Sequence, residues 1–194
     1  MNNKIKGLLV LVLGAGVTFS AFAGKGHGNR GDKNRIAVKL IGTGHMYTNI
    51  VPDIDGDGMD DMAECYDLDL INLKTGKTFG TGTDCISNIR NVGGSVAADA
   101  TFTVNMPKGS MVVRTKSTAA PLTNEATRAD GGLYTHVAGA SSHENRVLSG
   151  TGKYRSRSGT VRLNGLMDWS KYTGQPGDPL YIDCILEINL DPRW

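Results

Sequence analysis

The sequence predicts an all-β protein, an antiparallel barrel or sandwich, on three observations. Short segments of alternating apolar and polar residues recur along the chain, separated by turns rich in glycine, proline and asparagine. No segment sustains the apolar spacing of an amphipathic helix. The final segment, Tyr181–Leu190, alternates without a break. Its Ile182, Cys184, Leu186, Ile188 and Leu190 face one way, and Tyr181, Asp183, Ile185, Glu187 and Asn189 face the other.

The elements follow in order. Ile36–Ile41 opens the strand series. Tyr66–Leu73 and Thr78–Ile89 form a hairpin turning at Thr75-Gly76. Gly80 and Gly82, inside the second of these strands, are expected to mark bulges. Ala100–Val104 and Ser110–Thr115 flank the turn Pro107-Lys108-Gly109. Leu133–Ala138, Asn145–Leu148, Ser158–Met167 and Tyr181–Leu190 complete the series. Closing such a sheet removes its exposed edges, and a barrel of about eight strands leaves room inside for one small ligand.

Residues 1–23 read as a secretory signal peptide. Lys4 and Lys6 precede an apolar run from Leu8 to Phe19, and Ala21-Phe22-Ala23 offers a small-residue cleavage site. The run is too short and too rich in glycine for a membrane span, and no other segment approaches that length. Cleavage removes two of the 21 basic residues and none of the 19 acids, so the formal charge of +2 falls to zero. A neutral chain carries no nucleic-acid footprint. The expected destination is secreted or periplasmic, with no membrane contact after cleavage. Residues 24–34 (GKGHGNRGDKN) form a flexible leader. Its Arg30-Gly31-Asp32 tripeptide and lone His27 are too short to specify adhesion or a metal site. Residues 35–194 are left as one β domain.

Asp53-Ile54-Asp55-Gly56-Asp57-Gly58-Met59-Asp60-Asp61-Met62-Ala63-Glu64 matches the twelve-residue calcium-loop pattern completely. Ca²⁺ takes six to eight oxygens at about 2.3–2.6 Å, and this spacing supplies them. The expected ligands are Asp53, Asp55, Asp57, the Met59 carbonyl, Asp61 and a bidentate Glu64, with Gly58 permitting the turn. Without a cation, so many neighbouring carboxylates repel. A solvated acidic turn is the plainer alternative. No helix flanks the loop, and position 8 is Asp60 where paired sensor loops are apolar. The loop therefore resembles the isolated calcium loops of dockerin and thrombospondin type 3 modules, a structural clip and not a sensor.

Three cysteines in an exported chain imply one disulfide and one leftover thiol. Three pairings are open. Cys65–Cys85 is preferred because the hairpin between them brings its two ends together. Cys184, on the apolar parity of the last strand, reads as a small buried hydrophobe.

Gly150-Thr151-Gly152-Lys153-Tyr154 and the closing Gly159-Thr160-Val161 resemble a segment of the allene oxide cyclase and dirigent barrel superfamily. That segment runs between two late barrel strands. Here its first glycine is replaced by Ser149 and its aromatic is Tyr154, which would plug against the barrel wall. Gly76-Lys77-Thr78-Phe79-Gly80-Thr81-Gly82-Thr83-Asp84-Cys85 is similar to the family's second strand, and the resemblance spans roughly Tyr66 to Leu190. It implies an eight-stranded closed barrel, commonly trimeric, whose lumen holds a small apolar molecule. It also implies the steering of a cyclisation or of a coupling begun elsewhere. The Asp53–Glu64 loop has no counterpart in the plant members, and the family's cavity carboxylate and cysteine have no assigned match here.

Other chemistry is sparse. There is no nucleophile elbow, zinc-protease helix, P-loop or paired-cysteine motif. Ser141-Ser142-His143-Glu144 reads as a polar loop, because neighbours in sequence do not converge as a triad must. His136 reads as a half-exposed sheet residue in preference to a proton donor. Arg114 either meets an anionic ligand or sits on the barrel exterior, and Arg155, Arg157 and Arg162 read as solvated. Trp169 and Tyr172 either gate a barrel mouth or cap the core. A non-catalytic exported scaffold is the competing functional class. An open lumen would mark the binding protein and a filled one the scaffold.

Overall fold

A computed structural model describes residues 34–42, 45–54, 56–122, 132–139 and 144–192. The expected signal peptide and nearly all of the leader, together with Asp55 and Ser141 to His143, lie outside the described residues. Ten strands are present: β1 (Arg35–Gly42), β2 (Tyr47–Val51), β3 (Asp61–Asn72), β4 (Thr78–Val92), β5 (Ser95–Met106), β6 (Gly109–Pro121), β7 (Tyr134–Gly139), β8 (Arg146–Gly150), β9 (Gly159–Asp168) and β10 (Tyr181–Leu190). Among the described residues the only helical geometry is a 3-10 turn at Gly152–Tyr154.

The sheet is antiparallel throughout and closes on itself, because β1 pairs with both β10 and β3. The barrel has eight positions, two of them filled by a pair of strands. β1 and β2 lie end to end along β3, and β7 and β8 lie end to end along β6. Closure leaves few free edges on which a second chain could template.

Inward parity follows the alternation read from the sequence. Ile182, Cys184, Leu186, Ile188 and Leu190 are all buried, as are Leu68 and Leu70 on β3 and Val161 and Leu163 on β9. Each fully buried aliphatic or aromatic side chain contributes about 2 kcal/mol of hydrophobic stabilisation. Tyr154 is 6 % exposed and packs into this core, its hydroxyl on the Met106 sulfur, so it plugs the barrel as the resemblance implies. The backbone approach beside it demands glycine. A Cβ on Gly152 would lie 2.5 Å from the Lys108 carbonyl, and one on Gly109 would lie 2.3 Å from that of Thr151. Both glycines also have positive φ, at +53° and +138°.

The hairpin of β3 and β4 places Cys65 directly opposite Cys85, and the two form the disulfide. Such a bond fits an oxidising compartment. Among the described residues no helix is long and apolar enough to cross a membrane. The bulge expected near Gly80 occurs as an extra residue, Phe79, between the pairs Leu70–Gly80 and Ile71–Thr78. Gly82 keeps regular register, and its missing Cβ instead admits Leu70 and Leu68 close against the strand. A second irregularity falls between Ser87 and Arg90, where Asn88 has a φ of +49°.

Candidate functional site: the half-open lumen

The barrel interior is packed at one end and open at the other, and residue size on β5 and β6 decides which. Towards one end the inward side chains are Phe102 and Val104, opposite Val113 and Met111, all at most 2 % exposed. Towards the other they are Val96, Ala98 and Ala100 on β5, with Ser117 and Ala119 on β6. Ala98 pairs with Ser117 and Val96 with Ala119, so small side chains face small ones. The space they leave is a cavity of about 350 Å³. That volume lies within the range of small-molecule sites.

One cross-strand row forms the floor. Tyr66 on β3 pairs with Asp84 on β4, which pairs with Phe102 on β5. Asp84 is only 2 % exposed, and the Tyr66 hydroxyl donates to its Oδ2 by a short hydrogen bond. Its Oδ1 is buried without a hydrogen-bond partner in a residue that lines the cavity. Burial disfavours the carboxylate, and although the Tyr66 hydrogen bond works the other way, the Asp84 carboxyl is pushed up to about 7. Near neutrality it therefore exists in both protonation states, as a proton-transfer group requires. Burial, and then the Asp84 charge, drive the Tyr66 phenol well above its ordinary range, so it remains a donor.

One row above the floor, Glu64 on β3 accepts a hydrogen bond from the Tyr172 hydroxyl at 2.9 Å. Burial and this contact push Tyr172 up to about 12. Trp169 meets Tyr172 edge to face at 5.3 Å between ring centroids, and its indole N–H donates to Thr135 Oγ1 at 2.7 Å. The loop carrying them is fixed by Asp178, whose Oδ2 accepts from the Thr173 and Gln175 amides and the Thr173 hydroxyl. It is tied to the residue just before β2 by the Gly177 amide on the Met46 carbonyl. Trp169 and Tyr172 thus both line the cavity and pack against the core.

The calcium pattern divides between the two faces of β3. Asp53 Oδ1 and Oδ2 accept from the Gly56 and Gly58 amides, Asp57 Oδ1 from the Met59 amide, and Asp61 Oδ2 from the Ile54 amide. Gly56 and Gly58 have φ of +89° and +88°, which lets the chain wind around these carboxylates. Glu64 stands on the opposite parity and lines the lumen. Among the described residues no three acidic, histidine or cysteine side chains converge as a metal site. Asp53, Asp57 and Asp61 are held by the amides of their own loop, and Glu64 holds Tyr172 on the lumen side.

The remaining candidates lie elsewhere. Arg114 is on the barrel exterior, where its Nη1 and Nη2 each donate at 2.7 Å to the carbonyls of Asp53 and Pro52. It anchors the acidic loop. Under that loop Val51, Ala63, Cys65 and Cys85 make a small separate core. His136 is exposed beside Asn164, and its neighbours Thr135 and Val137 face inward. Burial pushes the Cys184 thiol up to about 12, with Asp84 adding to the effect, so it is an uncharged core residue at neutral pH.

Sequence reasoning expected a lumen but missed Asp84 and which half of the barrel is open. The available signal was the run of small residues at inward positions, Ala98 and Ala100 beside Ser117 and Ala119.

Comparison with protein-family models returns no match, and neither does comparison with curated proteins. Among solved structures the chain is similar to pyocyanin demethylase, at 15 % identity and a TM-score of 0.40, over 80 % of this chain and 100 % of the other. It is also similar to a structure described as a nonspecific heme-binding cyclase that catalyses 4 + 2 cycloaddition during neoabyssomicin biosynthesis. That match has 14 % identity and a TM-score of 0.31, over 80 % of this chain and 65 % of the other. At these scores neither likeness bears on the site, whose chemistry rests on its own residues.

Proposed function

We propose that the barrel binds a small, largely apolar molecule in its open half and folds it for an intramolecular ring closure. Asp84 is the proton-transfer group in this reading. The observation that carries it is the cavity of about 350 Å³ with the unpartnered Asp84 Oδ1 at its floor. The apolar walls restrict the conformations of a flexible molecule, which lowers the entropic barrier to closure. Asp84 gives or takes a proton through Oδ1, while Tyr66 holds Oδ2 and fixes the direction of that transfer. Trp169 and Tyr172 shield the mouth from water. A scaffold protein would have filled this half of the barrel, and the small residues of β5 and β6 leave it open.

The same reading makes the protein an exported one with a calcium clip at Asp53–Asp61. The sequence pattern and the winding of the described loop support that clip, through the carboxylates of Asp53, Asp55, Asp57 and Asp61 and the Met59 carbonyl. Glu64 serves the lumen. The clip would hold the loop that Arg114 already grips, and it takes no part in the chemistry.

The test is to extract the protein with organic solvent, identify what it releases, and return that compound to wild-type and Asp84→Asn protein. The reading expects the variant to fail to convert the compound even at concentrations that saturate it. Conversion at the wild-type rate would remove Asp84 from the mechanism, and failure of both proteins to bind would remove the ligand chamber.

A further inference from the structure

Resting on the ligand chamber just proposed, the distribution of donors and acceptors around it identifies the kind of molecule it suits. The ionisable side chains lining the cavity are Asp84, Glu64, Tyr66 and Tyr172, and no lysine, arginine or histidine lines it among the described residues. Every aromatic donor is already engaged with a protein acceptor. Tyr66 donates to Asp84, Tyr172 to Glu64 and the Trp169 indole to Thr135. Acceptors remain. Asp84 Oδ1 is buried without a partner, and the hydrogen bond to Glu64 runs through Oε2 alone.

We propose that the barrel's ligand carries a protonated amine, which pairs with the Asp84 carboxyl, and that the chamber rejects carboxylates. A buried acceptor without a donor is costly, by about 1–3 kcal/mol, and an ammonium N–H removes that cost with a charge-assisted bond. An entering carboxylate meets the opposite situation. It loses its water, finds no cationic partner, and approaches two acidic side chains in a poorly screened interior. Trp169 and Tyr172 also line the cavity, and their rings attract a cation. Long-chain carboxylates are therefore poor candidates for this lumen.

Three probes of one shape separate the possibilities: 2-naphthylmethylamine, 2-naphthalenemethanol and 2-naphthoate, titrated calorimetrically into the full mature chain. The expected order is amine, then alcohol, then carboxylate, with the amine tighter than the carboxylate by at least roughly a hundredfold. Asp84→Asn should weaken the amine by about tenfold or more and leave the alcohol within about a factor of three, which also shows that the variant is folded. Glu64→Gln should weaken the amine less. Carboxylate binding as tight as amine binding, or an amine-to-alcohol ratio unchanged by Asp84→Asn, would overturn the amine assignment and leave the chamber standing. Failure of all three probes to bind would overturn both.

Discussion

The Tyr66 hydroxyl donates to one oxygen of the Asp84 carboxyl and leaves the other buried without a partner, in a residue that lines the cavity. The two residues are direct cross-strand neighbours, so barrel register alone places this polar pair at the boundary between packed and open interior.

The pair should make stability depend on pH. Asp84 is raised from 3.8 to about 7 in the folded protein, so the native state holds this proton more tightly than the unfolded chain. Its contribution is fully present below about pH 4 and is lost as pH rises through about 7, at up to ~1.4 kcal/mol per unit for one group. Asp84→Asn cannot ionise. Its melting temperature should gain steadily on wild type between about pH 4 and pH 7, and the gap should then level off. Parallel melting profiles would contradict the burial argument.

The Cys65–Cys85 bond, spanning a sequence separation of 20, closes the β3–β4 hairpin and lies in the small outer core with Val51 and Ala63. Replacing both cysteines by alanine should cost about 3 kcal/mol, read as a lower urea midpoint with a somewhat steeper slope, because the unfolded chain is released from its closed loop. Native Cys184 should resist alkylation until the barrel unfolds, because its thiol is buried and uncharged.

Arg114 couples the acidic loop to the barrel wall through two backbone carbonyls. Arg114→Ala should destabilise by about 1–3 kcal/mol, the usual range for losing hydrogen bonds to a charged group. Amide exchange should accelerate at Ile54 to Asp61 and not on β9 or β10. Uniform acceleration would mean that the loop is not held separately.

Calcium should raise the melting temperature of protein treated with EGTA, by mass action on the folded state. Asp53→Asn with Asp57→Asn should abolish the increment, whereas Glu64→Gln should largely preserve it, because Glu64 faces the lumen. An equal loss in the Glu64 variant would place that side chain back in the loop. A melt indifferent to calcium would dispose of the clip.

Strands with one buried face were legible because the pleat writes its alternation into the residues, most plainly from Ile182 to Leu190. β2 was not, since Tyr47 to Ile50 are all exposed and carry no such pattern. Asp84 was concealed for a related reason. An acid between Thr83 and Cys85 reads as outward-facing, yet Cys85 turns outward to its disulfide and the acid turns in. Glu64 was concealed by a better pattern, because the twelfth place of a calcium loop claims a residue whose strand parity points it into the barrel. The cavity is an absence of volume, visible only once β5 and β6 are paired and Ala98 stands opposite Ser117.

Native mass spectrometry of wild-type protein beside Ala98→Trp, which should fill the open half of the barrel, tests the central claim most directly. Wild type should carry, or take up from added 2-naphthalenemethanol, one small organic molecule per chain that unfolding releases, and the filled variant should carry none. A wild-type chain that remains bare under both conditions, or a filled variant that binds equally well, would contradict the account.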